Sequence, residues 1–514
     1  MIRIVLFVAI VCCCEPAAAY PLDGYEQTGI RRVEAARLAV LGEMRGRKQP
    51  PGALLPTAEV DLRLLQHPDF DLPEPDAEFT SQIRKILGRK KGRYGIAVLD
   101  VSDPSQPRYA EHRGVSVQNV GSVGKIVPAL AVFQALADIY PEDIDARRRV
   151  LRETIVTAND FIRVDHHEVR LWNPETGKLR YRELHVGDQG SLWEHLDWML
   201  SASSNAAAAM VMHEAMLLVH NGREYPVAAE EAERFFAETP KAELKALFER
   251  TFLEPITRNG MNLEQLRQGS FFTRHGKRTV PTGLSSYGTA RELVRLALRM
   301  EQGRLVDGFS SRQIKRLLYM TEKRIRYASS PALAQSAVYF KSGSLYGCEP
   351  EEGFVCRKYH GNVRNYMNSL AIVETPAGQN RMVYLTTMIS NVLRKNSAVD
   401  HQTFATRVHR LLEKRNPDAT GTQEQQHAFG ENLIGYAEKR KARLLIVDTQ
   451  SALLRLGFEI GEVDGEVGRK TRAAIKKFQR ANKLKVNGEP SQTLLEHLRQ
   501  ASAPEGTAEE KGIE

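Results

Sequence analysis

In the stretch NVGSVGKIVPALAVFQAL, residues 119–136, Ser122 and Lys125 have a spacing that could do chemistry. Residues three apart on a helix share a face, so the Lys125 amine can reach the Ser122 hydroxyl and take its proton. The same stretch closes a Gly-rich turn on Gly124-Lys125, which could instead cradle a phosphate. A phosphate loop, however, needs a glycine five positions before Gly124 and a Ser or Thr after the lysine. Those positions hold Asn119 and Ile126, and the phosphate reading fails at both. In the surviving reading Ser122 is a nucleophile at a helix N-terminus, where the dipole stabilises a developing alkoxide. Lys125 is then its base, and a lysine is a base only when neutral, so burial and a nearby cation must lower its pKa.

Ser-x-x-Lys alone is a common pattern, but two further elements give it context. SASSNAAAAMVM places Ser203-Ser204-Asn205 at the opening of an Ala-rich helix. VYFKSGSLYG carries Lys341-Ser342-Gly343 within a strand. The order Ser-x-x-Lys, Ser-x-Asn, Lys-Ser/Thr-Gly resembles the serine β-lactamase and penicillin-binding protein superfamily, over about residues 93–414. SSYGTARELVRLALRM (285–300) is similar to the helix that precedes that family's final strands.

The resemblance implies acyl transfer through Ser122. By it, Ser203 relays a proton to the departing amine and Asn205 holds the substrate amide. Lys341 and Ser342 attract a terminal carboxylate, and Lys341 also depresses Lys125. Gly343 keeps the strand edge open, and the backbone N–H groups of Ser122 and Ser344 form the oxyanion hole. The antibiotic-hydrolysing class A branch adds a glutamate, in Glu-x-x-x-Asn, that activates the deacylating water. Here FLEPITRNGMN sets Glu254 and Asn259 five apart rather than four, and Glu254 is carried as the candidate for that role. The resemblance implies no cofactor and no metal.

Positioning these groups falls to elements legible from periodicity. YGIAVLDV (94–101) reads as a buried strand, with RYAEH as its partner across the DPSQP turn. Ile126, Ala129, Leu130, Val132, Phe133 and Leu136 give the Ser122 segment a helical apolar stripe. Helical material continues to about residue 320, with polar excursions around 164–190 and 220–260. SAVYFKSGS, NSLAIVETP and RMVYLTTMIS read as three strands, and VDHQTFATRVHRLLEK as a closing helix. Strands at both ends with helices between predict an α+β fold, an antiparallel sheet flanked by helices plus a helical lobe. Residues 20–92 hold a helical stretch, GIRRVEAARLAVLGEM, and a Pro-rich passage, with no role assigned.

The 514 residues are 42% apolar and 26% charged with a net charge of +9, an ordinary soluble composition. That charge fits an anionic wall polymer, a membrane surface or nucleic acid alike, but no nucleic-acid motif or dense basic tract accompanies it. Arg3, the apolar run Ile4 to Cys14 and Ala17-Ala18-Ala19 before Tyr20 have the parts of a cleavable signal peptide, 1–19. No other run approaches a membrane span. Cys348 and Cys356 are then the mature chain's two cysteines, and a loop-closing disulfide between them is expected.

Residues 415–443 read as a linker and 501–514 as a charged tail. Between them, 444–500 resembles the three-helix peptidoglycan-binding domain family. Asp448 is expected to cap its first helix, which bears Leu453 and Leu454 and stops at Gly457, and Asp464-Gly465 to form a turn. Thr471, Ala474, Ile475 and Phe478 make a second stripe; Leu494, Leu495 and Leu498 make a third. The expected protein is therefore an exported, periplasmic or extracellular, wall-associated serine hydrolase. It would be a penicillin-sensitive peptidase on D-Ala-containing peptidoglycan peptides. The alternatives are a class A-like β-lactamase and a non-catalytic wall-binding protein.

Overall fold

The computed structural model describes residues 23–46, 49–417, 442, 445–461, 463 and 466–501. The expected signal peptide, nearly all of the linker, the Asp464-Gly465 turn and the tail beyond Ala501 lie outside the described residues. The chain divides into two units, Met1–Thr420 and Gly421–Glu514.

In the first unit five strands make one antiparallel sheet: β1 (Tyr94–Asp100), β2 (Arg108–His112), β3 (Ala337–Gly347), β4 (Arg364–Thr375) and β5 (Met382–Asn391). Their order is β2-β1-β5-β4-β3, so early and late strands meet inside the sheet and β3 is an edge. Successive side chains on a strand point to opposite faces. Tyr94, Ile96 and Val98 of β1, with Val338 and Phe340 of β3, pack among Phe79 and Ile83 of the helix Ala77–Leu87 and Phe404 and Val408 of the helix Ala398–Arg415. Ala97 and Leu99, with Ala337 and Tyr339, turn to the opposite core, which includes the helical lobe. Lys341 and Gly343 follow Tyr339 at intervals of two and therefore face the lobe.

The lobe is built on two helices buried along most of their length, Ile126–Ile139 and Asn205–Asn221. Apolar residues on most sides of a helix make it core. Gly121–Ile139 is, among the described residues, the one helical stretch long and apolar enough to cross a bilayer, and it is mostly buried within the unit. In the sequence Lys125 interrupts its apolar run.

Two polar excursions resolve into regular structure. Residues 164–190 contain a hairpin, Glu168–Asn173 with Lys178–Glu183; Lys178, Arg180 and Arg182 alternate with Leu179 and Tyr181, a period of two in mostly polar lettering. Residues 220–260 are largely helical, with Ala232 and Phe236 buried in Ala229–Glu238 and Leu244, Phe248 and Phe252 buried in Lys241–Phe252. Residues 23–46 and 49–92 also have a place. The helix Arg31–Leu41 docks on the lobe, where the Arg31 guanidinium forks onto Glu194, Nε to Oε1 and Nη2 to Oε2 both at 2.8 Å.

The Cys348–Cys356 disulfide is formed, in the connection after β3. The second unit has helices over 445–455, Arg469–Ala481 and Gln492–Ala501. Leu453, Ala474, Ile475, Phe478, Leu494, Leu495 and Leu498 form its core, and Gly457 with φ +78° ends its first helix. Two expectations need correction there. Leu454 is exposed, one residue round the helix from the buried Leu453. Asp448 stands inside the helix rather than at its cap, pairing with Arg499 at 3.0 Å.

A buried charge cluster fixes the start of β3. Lys315 Nζ lies 2.6 Å from Glu301 and 2.5 Å from Glu374, all three fully buried, and the Tyr339 hydroxyl donates to Glu374 at 3.0 Å. Removing one partner of a buried ion pair strands the other, so Lys315→Met should cost about 3–5 kcal/mol. Urea unfolding at neutral pH checks this, and a midpoint unchanged from the parent would refute it.

Candidate active site

Ser122 sits in a tight turn, Gly121–Lys125, that runs directly into the helix Ile126–Ile139. Lys125 is therefore carried into the lobe with none of its surface exposed. Its Nζ lies 3.1 Å from Ser122 Oγ, 2.6 Å from the Ser203 carbonyl oxygen and 2.7 Å from Asn205 Oδ1. The Phe272 ring covers it, centroid 4.9 Å away. Burial pushes the Lys125 amine down to about 7; the Asp165 carboxylate opposes that shift and the Lys323 cation adds to it. Burial is thus the main cause, as expected, while the cation that adds to it is Lys323 rather than the expected Lys341. Lys341 is instead held well below its usual range, by burial first and then by Lys125, Lys323 and Arg326.

Ser203 connects the two lysines. Its hydroxyl accepts from Lys341 Nζ at 2.8 Å while its carbonyl accepts from Lys125. To do both it adopts φ +66°, closing a π-helical turn, Trp198–Ala202. Left-handed backbone costs a non-glycine residue about 1–2 kcal/mol, so neighbouring bonds must hold it. Ser204 caps the following helix, its hydroxyl accepting from the Ala207 N–H at 3.1 Å. Asp165 Oδ2 then accepts from Ser204 Oγ, the Asn205 N–H and the Ala206 N–H at 2.9, 2.7 and 2.9 Å. Burial pushes the Asp165 carboxyl up, but His167 first, and then the Ala206 N–H and the Lys125 cation, hold it well below the usual carboxylate range. Asp165 was missed in the sequence because it lies in the excursion at 164–190. The signal that could have found it is the set of unsatisfied N–H groups that every helix start presents.

β3 lies against the Ser122 turn, backbone to backbone. A Cβ on Gly343 would stand 2.0 Å from the Val120 carbonyl oxygen and 2.9 Å from the Ser122 nitrogen. One on Gly121 would stand 2.7 Å from the Ser344 nitrogen. Only glycine at both positions permits this approach, and it brings the backbone N–H groups of Ser122 and Ser344 to the same contact. Ser342 is buried opposite Ser369 across β3 and β4, and Lys341 Nζ is 3.3 Å from its carbonyl oxygen. Arg326, also missed, is buried and donates to the Gly343 carbonyl at 2.5 Å and the Asn368 carbonyl at 3.3 Å.

The structure brings Ser122, Lys125, Ser203, Asn205, Lys341, Gly343 and Ser344 together; Glu254 is not among them. That carboxylate is exposed and lines a surface depression with Gln134, Asp138, Arg250 and Arg258. Asp138 is thirteen residues beyond Lys125, about 20 Å along the helix at 1.5 Å per residue. The partner Asn259 is spent on structure, bonding Gln134 at 3.0 Å and the Pro255 carbonyl at 2.7 Å. The segment beside the Ser122 turn is instead 265–291, which supplies Gln268 against Gly124 and Phe272 over Lys125 and contains no Asp or Glu.

An antiparallel sheet, a helical lobe and a serine–lysine pair at their junction define a serine hydrolase of the β-lactamase and penicillin-binding class. The model of the beta-lactamase enzyme family matches residues 78–399, and the chain belongs to that family. The model of a peptidoglycan binding domain matches residues 445–498. Among solved structures, PBP-A is similar at 14% identity over 67% of this chain and 98% of its own, with a TM-score of 0.41. A beta-lactamase from Chitinophaga pinensis is similar at 13% identity over 65% and 98%, TM-score 0.39. One from Xanthomonas campestris is similar at 16% over 65% and 96%, TM-score 0.40. A search of curated proteins finds no match to this chain.

Asp165→Ala leaves the first N–H groups of the Asn205 helix without their acceptor and loosens Asn205 and Ser203 together. Small misplacements of a reacting constellation cost up to about a hundredfold, so acylation by a chromogenic β-lactam in stopped flow should slow by roughly ten- to a hundredfold. Asp165→Asn, which keeps an acceptor, should fall between. A parental rate in Asp165→Ala would show that the carboxylate does not hold the site.

Proposed function

We propose that the chain is a penicillin-sensitive serine peptidase that acts on D-Ala-containing peptidoglycan peptides through an acyl-enzyme on Ser122. The observation that carries this reading is Lys125, buried against Ser122 Oγ with its pKa brought to about 7. At neutral pH a substantial fraction of that amine is uncharged and can accept the hydroxyl proton as Ser122 attacks the carbonyl carbon. The backbone N–H groups of Ser122 and Ser344 would hold the resulting oxyanion. Ser203, with Lys341 behind it, would pass on to the departing D-Ala amine the proton that Lys125 took from Ser122, so that Lys125 is neutral again and Ser203 keeps its own proton as the peptide bond breaks and the Ser122 ester forms. Lys341 and Ser342 would attract the substrate's terminal carboxylate, and Asn205 its amide. Water then hydrolyses the ester and returns the proton to Ser122.

The deacylation half favours a peptidase over a β-lactamase. A β-lactamase must activate water against a penicilloyl ester with a general base, and the segment 265–291 beside Ser122 offers Gln268 and Phe272 but no carboxylate. Glu254 is too remote to serve. The match to the beta-lactamase family keeps antibiotic hydrolysis as the second reading. The match of the C-terminal domain to a peptidoglycan binding domain supports a position on the wall, which the signal peptide expected at 1–19 would allow.

Acyl-enzyme lifetime separates the readings. A labelled penicillin should be recovered by mass spectrometry on the Ser122 peptide and persist for minutes in a peptidase; rapid turnover would identify a β-lactamase. No adduct at all, with Ser122→Ala indistinguishable from the parent in cells, would leave a non-catalytic wall protein. The acylation rate should climb as pH rises through about 7, because that is where Lys125 loses its proton; a flat profile from pH 5.5 to 8.5 would contradict a lysine base.

A further inference from the structure

Arg32 lies in the N-terminal helix Arg31–Leu41, far in sequence from every motif of the site. Its side chain is fully buried. Nε and Nη2 grip the Asp197 carboxylate, to Oδ2 and Oδ1, both at 2.6 Å. Nη2 also donates to the Met320 carbonyl at 2.8 Å, and Nε stands 3.1 Å from Glu322 Oε1. Glu322 is held from its other side by Arg170 at 3.3 Å.

Both anchors lead straight into the site. Asp197 immediately precedes the turn Trp198–Ala202, which ends on Ser203 in its left-handed conformation. Met320 and Glu322 begin the bend that continues through Lys323, whose charge acts on Lys125 and Lys341. That bend reaches Arg326, which holds the Gly343 carbonyl. One guanidinium therefore ties the Ser203 arm to the β3 arm, which meet again where Lys341 donates to Ser203.

We propose that Arg32 is a positioning residue, a bracket from the N-terminal segment that sets the distance between the Ser203 turn and the Lys341 strand. A buried ion triad is a poor device for stability alone, since apolar residues of like volume serve as well or better. What the triad adds is a directed, bidentate geometry, which apolar packing does not reproduce. The Ser203 turn needs such a constraint, because its positive φ and π-helical winding are unfavourable without one.

The inference rests on the acyl-transfer reading for its effect on rate, so it is tested by two readouts on the full chain. In the triple variant Arg32→Met, Asp197→Leu, Glu322→Met, the triad becomes apolar and the melting temperature should hold. Amide exchange at 198–206 should nevertheless accelerate, and acylation of Ser122 should fall by roughly ten- to a hundredfold. The non-covalent affinity for the same β-lactam should change little. Arg32→Lys, which keeps the charge but not the fork, should recover part of the rate. A folded triple variant with parental exchange at 198–206 and a parental acylation rate would overturn the bracket. If the triple variant fails to fold, Arg32→Lys decides alone, with parental exchange and rate overturning the proposal. A parent chain that never acylates would sink the acyl-transfer reading, while exchange at 198–206 would still decide the bracket.

Discussion

Two lysine amines buried around one serine are the constraint to which the rest of this site answers. Lys125 and Lys341 are both buried, and among the described residues neither forms an ion pair. Their shared contact is Ser203, which gives its carbonyl to one and its hydroxyl to the other. Burying a cation without a counter-charge drives it toward neutrality, and here that consequence is the chemistry: an amine that can accept a proton near neutral pH. The nearest compensation, Asp165, is engaged with the start of the Asn205 helix and moderates the shift without cancelling it.

Much of the architecture exists to hold that arrangement closed. The helix after Lys125 is buried continuously from Ile126 to Leu136 and keeps the lysine inside the lobe. The glycines at 121 and 343 let the Ser122 turn and β3 touch through their backbones. Arg326 fixes the carbonyl of Gly343 from the far side. The Lys315–Glu301–Glu374 cluster secures the beginning of the same strand through Tyr339. Strain at Ser203 is tolerated because bonds converge on it from three separate stretches of chain.

Local pattern made part of this legible before any coordinates. Ser-x-x-Lys, Ser-x-Asn and Lys-Ser-Gly each carry their own spacing, and the period-two lettering of VYFKSGS puts Lys341 on the same face as Tyr339. The helices and late strands announced themselves by apolar periodicity. Asp165, Arg326 and Arg32 did not, because each acts on a partner remote in sequence, or on backbone atoms that no letter records. Glu254 shows the converse. It had nearly the right local motif, yet the fold delivers it beside Asp138, some turns down the helix from Ser122. The hairpin at 168–183 was hidden because charged residues fill both of its strands.

The account turns on the charge of Lys125, and a site-resolved titration tests it most directly. With 13C-labelled lysine and Lys125→Met for assignment, the Lys125 side-chain resonance should titrate with a midpoint near 7, far from the surface lysines. A midpoint in the ordinary lysine range, above 10, would mean that the amine stays charged at neutral pH and cannot be the base.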